Sequence, residues 1–155
     1  MIDTSLLVAC SGFLLAVLWM DLIFDTQVLA HRAAGDELPE QVLASIAGYY
    51  HRATTTSRPM SYLIAAVMVI LLGALVFRAV SGRDPVWLLV TSAVLAGAPI
   101  LLALLRTVPN AVRLGNRLDT PTEQTRLARS ICRDHLLCVV GISAFLALWL
   151  IHSSV

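Results

Sequence analysis

The chain has 155 residues, of which 58% are hydrophobic and 14% charged, and a mean hydropathy of +0.82. An average soluble domain is about half apolar and about a quarter charged, so this composition cannot build the polar skin of a water-soluble globule. It also excludes charged tails, collagen-like repeats and a disulfide-rich secreted scaffold. A formal net charge of +1 gives no nucleic-acid footprint, which leaves one integral membrane domain over residues 1–155.

The first apolar stretch, from about Ser5 to Phe24, can cross a hydrocarbon core, which takes about 20 residues. It is read as a retained helix rather than a cleaved signal, because Asp3 and no basic residue precede it and too few apolar residues come before Cys10. Asp21 interrupts this run and Asp25 follows one turn later on the same face. A carboxylate at bilayer depth costs about 2.5–3.5 kcal/mol, so Asp21 is expected to face the bundle interior with a partner. Arg106 is the nearest cation expected at that depth. Either an interhelical Asp21–Arg106 clamp or a buried carboxylate acting as base, proton relay or metal ligand fits the pattern.

Residues 36–53 (DELPEQVLASIAGYYHRA) place Val42, Leu43, Ile46, Tyr49, Tyr50 and Ala53 at helical spacing on one face. That spacing predicts a short amphipathic helix in the first long loop, lying along the membrane surface or capping the bundle. The second membrane helix is expected from Pro59 to about Val80, and the third from Pro85 to about Leu105 after the tight turn at Ser81–Asp84. Proline at the first helical position is cheap, since its missing N–H is an orphan there anyway. Pro99 and Pro109 each remove an intrahelical hydrogen bond and predict bends.

Thr120-Pro121-Thr122-Glu123 reads as a capping box. A helix from there to Ile151 is about 46 Å long at 1.5 Å per residue, so the fourth membrane helix (about Ile131 to Ile151) should project into water at its N-terminal end. All 11 basic residues are arginine, and nine of them fall in or beside the two long loops, leaving Arg78 and Arg83 on the other side. The positive-inside rule then puts the long loops in the cytoplasm and both termini outside the cell's inner (plasma) membrane. The fold class is all-α, a four-transmembrane-helix bundle with the short amphipathic helix in its first cytoplasmic loop.

That topology gathers the ionisable residues at one end of the bundle. Asp21, Asp25 and His135 are candidate catalytic residues; Arg106, Asn110, Arg113, Arg129, Arg133, Tyr49 and Tyr50 are candidates for substrate binding. Arg126, Arg129 and Arg133 form a stripe on one helix face, read either as a topology signal touching lipid headgroups or as part of an anion-accepting pocket. Histidines 31, 51 and 135 share this side, yet no HExxH or ExxH spacing occurs, and Cys132, His135 and Cys138 drift around their helix. No metal ligand set is assigned, and the residues leave the cofactor unknown. The three cysteines offer no good disulfide, and Cys10 and Cys138 read as packing residues.

The run from Arg106 to His135, with Val108-Pro109-Asn110 at the end of the third helix and Arg129 or Arg133 before His135, resembles the small four-helix membrane family that includes the anthrone oxygenase-like proteins. Size, helix count and the early Pro59 agree. The resemblance implies an oxygenase-like enzyme acting on a lipophilic aromatic or phenolic substrate. A base (Asp21, Asp25 or His135) would take its proton, Arg106 or Arg133 would steady the oxyanion, and Tyr49 or Tyr50 would pack on its rings. The competing reading is a non-catalytic subunit that binds membrane lipids or packs in a larger assembly. Its small residues Gly12, Gly73, Ala96, Gly97 and Gly141 would permit close helix contact with itself or a partner.

Overall fold

Helical hydrogen bonding satisfies every backbone polar group within one segment, the condition for crossing lipid. The computed structural model describes residues 4–31, 37–82 and 84–153, and these form helices and short connections with no strand among them. Seven α-helices follow in order: α1 (Thr4–Asp25), α2 (Gln27–Ala30), α3 (Glu40–Thr55), α4 (Arg58–Ser81), α5 (Val86–Leu102), α6 (Val108–Asn116) and α7 (Pro121–Ser153). A π-helical turn, Ala103–Thr107, joins α5 to α6. Four continuous helical stretches, Thr4–Ala30, Arg58–Ser81, Val86–Asn116 and Pro121–Ser153, are long and apolar enough to cross a membrane. Their outward faces carry large exposed apolar side chains, among them Trp19, Val69, Val76, Val90, Leu105 and Val140, as a lipid-facing surface requires. The chain is a multi-pass membrane protein. Asp3, Arg32, Asp36 and Arg83, which entered the charge and helix readings above, lie outside the described residues.

Local chemistry accounts for the helix ends. Gly82 closes α4 at φ +62°, a left-handed cap that glycine adopts without a Cβ penalty. Pro85 stands just before α5, which starts one residue later than expected, at Val86. Across this turn Arg78 grips Asp84 through Nε and Nη2 at 2.7 and 2.6 Å. Those hydrogen bonds hold the Asp84 carboxyl below the usual carboxylate range, and the same guanidinium lies 4.6 Å from the Trp149 ring centroid on α7. Thr120 caps α7 through its Oγ1 to the Glu123 N–H at 3.3 Å. Glu123 does not return the bond; it pairs with Arg126 instead. The third membrane stretch passes through both prolines without a break in helicity. The Pro109 ring would press on the carbonyl four residues back, in Leu105, and the wider π turn lies at that carbonyl.

Two apolar cores stack along the bundle. The first joins α1, α4, α5 and α7 through Leu7, Leu14, Leu71, Leu88, Ile142, Phe145 and Trp149. The second joins α3, α6 and the N-terminal third of α7 through Leu43, Ile46, Ala47, Leu114, Leu127 and Ile131. The N-terminal part of α7 is therefore one wall of a second core rather than a helix projecting alone into water. Arg117 locks the two shorter helices together. It ends α6 in the left-handed region at φ 52° and takes Glu40, at the start of α3, in two bonds of 2.7 and 2.8 Å.

Close backbone approach separates the small residues that matter from those that do not. A Cβ on Gly115 would lie 2.9 Å from the His51 backbone nitrogen, and one on Gly141 would lie 2.7 Å from the Pro99 ring, whereas Gly12, Gly73 and Gly97 have nothing within 4 Å. In Gly115→Ala, overpacking of about 1–3 kcal/mol outweighs the gain of roughly 1 kcal/mol in helix propensity. Thermal unfolding in detergent should show a lower midpoint for Gly115→Ala and an equal or higher one for Gly97→Ala.

Candidate functional site

Between the two cores lies the polar layer. Asp21 and Asp25, one turn apart on α1, point toward α3 and α7. His135 on α7 receives both: its Nδ1 is 2.6 Å from Asp25 Oδ2, and its Nε2 is 3.8 Å from Asp21 Oδ2. From α3, the Tyr49 hydroxyl donates to Asp21 Oδ1 and the Tyr50 hydroxyl to Asp25 Oδ1, each at 2.6 Å. Burial, and then the neighbouring aspartates, push both phenols upward from their ordinary value, so each stays protonated and serves as a donor. Tyr50 donates to one oxygen of Asp25 and His135 Nδ1 faces the other, which leaves Nε2 on the Asp21 side of the ring.

The five side chains differ in access. Asp25 is wholly buried, and His135 and Tyr50 are nearly so. Asp21 retains 18% of its side-chain surface and forms part of the wall of an apolar cavity of about 150 Å³. Leu14 and Leu18 of α1, Ile64 and Met68 of α4, Ile100 of α5 and Ile142 of α7 line the rest. Asp21 is the one charged side chain among the described residues in that wall. Tyr49 stacks on Phe24, ring centroids 4.1 Å apart and planes 11° from parallel, so one face of its ring is already taken. The tyrosines meet this site through their hydroxyls.

The arginines form a separate group behind α7. Consecutive residues on a helix point about 100° apart, so Asp134 turns away from α1 while its neighbour His135 faces it. Asp134, with 1% of its side chain exposed, meets Arg106 Nε at 3.2 Å and lies 3.9 Å from Arg133 Nε. Arg106 also donates to Ser130 Oγ at 2.8 Å. The interhelical clamp is thus Asp134–Arg106, not the expected Asp21–Arg106. Arg106, Asn110, Arg129 and Arg133 line a cleft of about 740 Å³ between the π turn with α6 and α7. Arg113 stands outside it, bonded to Asp119 at 2.8 Å.

The site residues therefore divide into two sets. Asp21, Asp25, His135, Tyr49 and Tyr50 converge; Arg106, Asn110, Arg129 and Arg133 converge elsewhere; Arg113 joins neither. Asp134 is the functional side chain that sequence reasoning passed over, and its position inside an arginine-flanked helix segment was the available signal. His31 bonds its own helix at the Gln27 carbonyl, 3.0 Å away, and His51 is exposed on α3. No group of three or more His, Cys, Asp or Glu side chains among the described residues is disposed to hold a metal ion. The chain matches no family model, no curated protein and no solved structure.

Removing one partner of a buried ion pair costs about 3–5 kcal/mol, and Asp25 pairs with His135 at 2.6 Å. Asp25→Ala should lose stability on that scale in an SDS-unfolding titration in mixed micelles, whereas Arg113→Ala should leave the midpoint in place.

Proposed function

We propose that the chain is an oxygenase-like membrane enzyme that accepts a lipophilic phenolic or aromatic molecule from the bilayer and removes its proton at Asp21. The observation that carries this reading is the position of Asp21 as the one charged group among the described residues in an otherwise apolar cavity, with a histidine and a second carboxylate behind it. A cavity of about 150 Å³ is of the size that binds a benzene ring. One ring fits against Asp21, and the remainder of a larger molecule lies out between the helices through the cavity's open side.

The proton path follows from the contacts. The substrate's acidic O–H or C–H gives its proton to the Asp21 carboxylate, and His135 Nε2, 3.8 Å away in this structure, takes it onward when the gap closes to hydrogen-bond range. The imidazolium so formed is held by Asp25 at Nδ1, the arrangement by which a buried carboxylate supports a histidine base. The electron pair left on the carbon bonds to molecular oxygen and, with one proton, gives a hydroperoxide; loss of the second C–H proton then breaks the O–O bond, leaving C=O and releasing water. For an anthrone the balance is one O₂ consumed, with a ring CH₂ becoming C=O and one water released. Arg106 and Arg133 line the cleft on the other side of α7, so neither faces the charge that develops beside Asp21.

The arginine excess at this end supports a cytoplasmic location for it, with both termini outside the inner (plasma) membrane and α3 as the amphipathic helix of the first cytoplasmic loop. A second reading, a packing or lipid-binding subunit, draws on the burial of the Asp25–His135 pair, which alone could serve as a structural clamp. Assembly with copies of itself or with another membrane protein belongs to that reading.

An anthrone assay separates the two. Proteoliposomes should convert anthrone to anthraquinone faster than empty liposomes, with equimolar oxygen uptake. Asp21→Asn and His135→Gln, checked for a monodisperse folded profile, should slow turnover about 10²–10⁴-fold. A wild-type rate equal to that of empty liposomes, or full activity in both folded variants, overturns the enzyme. Variants that fail to fold favour the clamp.

A further inference from the structure

The cleft behind α7 is built differently from the cavity at Asp21, and its chemistry points to a different ligand. Its walls carry four arginines, Arg106, Arg126, Arg129 and Arg133, and one acid, Glu123. The buried Asp134 stands behind them. Glu123 is already engaged by Arg126 in bonds of 2.9 and 2.5 Å and by Arg113 at 3.5 Å, so it adds little free acceptor capacity to the cleft. Arg106 is oriented in advance by two contacts, Asp134 at 3.2 Å and Ser130 at 2.8 Å, and keeps 43% of its side chain exposed. A guanidinium carries five N–H donors, so these contacts leave donor capacity at the cleft. Arg133 keeps 63% of its side chain exposed, and its 3.9 Å separation from Asp134 is beyond hydrogen-bond range. Paired guanidinium forks of this kind match the oxygens of a phosphate.

What lies along the membrane side of the cleft identifies the source of that phosphate. The α7 face bearing Arg126, Arg129 and Arg133 continues one and two turns on into exposed Leu136, Leu137 and Val140. The opposite wall passes from Arg106 to exposed Leu105, Leu104 and Leu101 on the π turn and the end of α5. A charged, donor-rich compartment opens directly onto apolar surface. A free phosphate would use only the first part; a phospholipid uses both. We propose that this cleft is a binding site for the phosphate of an anionic lipid headgroup, with the acyl chains lying against the two apolar walls.

Native mass spectrometry of the whole chain in a neutral detergent tests this, with phosphatidylglycerol, phosphatidylcholine or inorganic phosphate added separately. Wild type should retain one phosphatidylglycerol per chain at about tenfold lower concentration than phosphatidylcholine, and should hold no inorganic phosphate at those concentrations. Arg133→Ala should remove most of that preference and Arg133→Glu all of it, each variant first shown to keep the wild-type unfolding midpoint, since Arg133 flanks the buried Asp134. Arg113→Ala, a lost arginine outside the cleft, should keep it. Equal retention of the two lipids, equal loss in Arg113→Ala, an unchanged preference in Arg133→Glu, or inorganic phosphate bound as tightly as phosphatidylglycerol would each overturn the lipid site.

Discussion

The hydrogen bond between His135 and Asp25 is the constraint around which this molecule is arranged. Both groups lie between two apolar cores, where an unpaired charge or polar group costs several kcal/mol. Each therefore needs a partner, and the partner must come from another helix. The 2.6 Å contact fixes the rotation of α7 against α1, and the Tyr50 hydroxyl then draws α3 onto the same pair. Once α3 is docked, its apolar face covers α6 and α7, and the second core closes. Gly115 permits that closure, because α6 reaches the α3 backbone where only a hydrogen can stand.

The rotation of α7 also determines what its other faces do. With His135 turned to α1, Asp134 must face the π turn, where it meets Arg106. Cys138, one turn along the first face, reaches the Pro99 carbonyl at 3.6 Å and lies beside the apolar cavity. One helix thus separates an acidic, imidazole-bearing compartment beside an apolar cavity from a basic cleft on its other side. Placing opposite charges on opposite sides of a helix keeps the arginines from quenching the Asp21 carboxylate.

The membrane-spanning helices were legible because length and hydropathy are properties of single segments. The same holds for helix punctuation: Pro59, Gly82 and Thr120 act on their own backbone. Asp21 and Asp25 were legible as a pair because a four-residue spacing fixes their common face whatever surrounds them. Pairing between helices was not legible. Whether Arg106 meets Asp21 or Asp134 depends on the relative rotation of α1, α7 and the π turn, and one sequence carries no direct signal for that. The second core was hidden for a related reason: the N-terminal part of α7 is rich in arginine and reads as a solvated extension, although Leu127, Ala128 and Ile131 on its far face are buried. Among the glycines, only the partner's position distinguishes Gly115 and Gly141 from Gly12, Gly73 and Gly97.

The central claim is that His135 is held by Asp25 at one nitrogen and serves Asp21 and its ligand with the other. Solid-state nitrogen NMR of the histidine-labelled protein in lipid bilayers reads both nitrogens directly, with His135→Gln assigning the signals. The account predicts a protonated Nδ1 in a strong hydrogen bond, and an Nε2 resonance that moves when a lipophilic phenol is added and ceases to respond in Asp21→Asn. An unprotonated Nδ1, or a ring whose two nitrogens ignore the phenol, would contradict it.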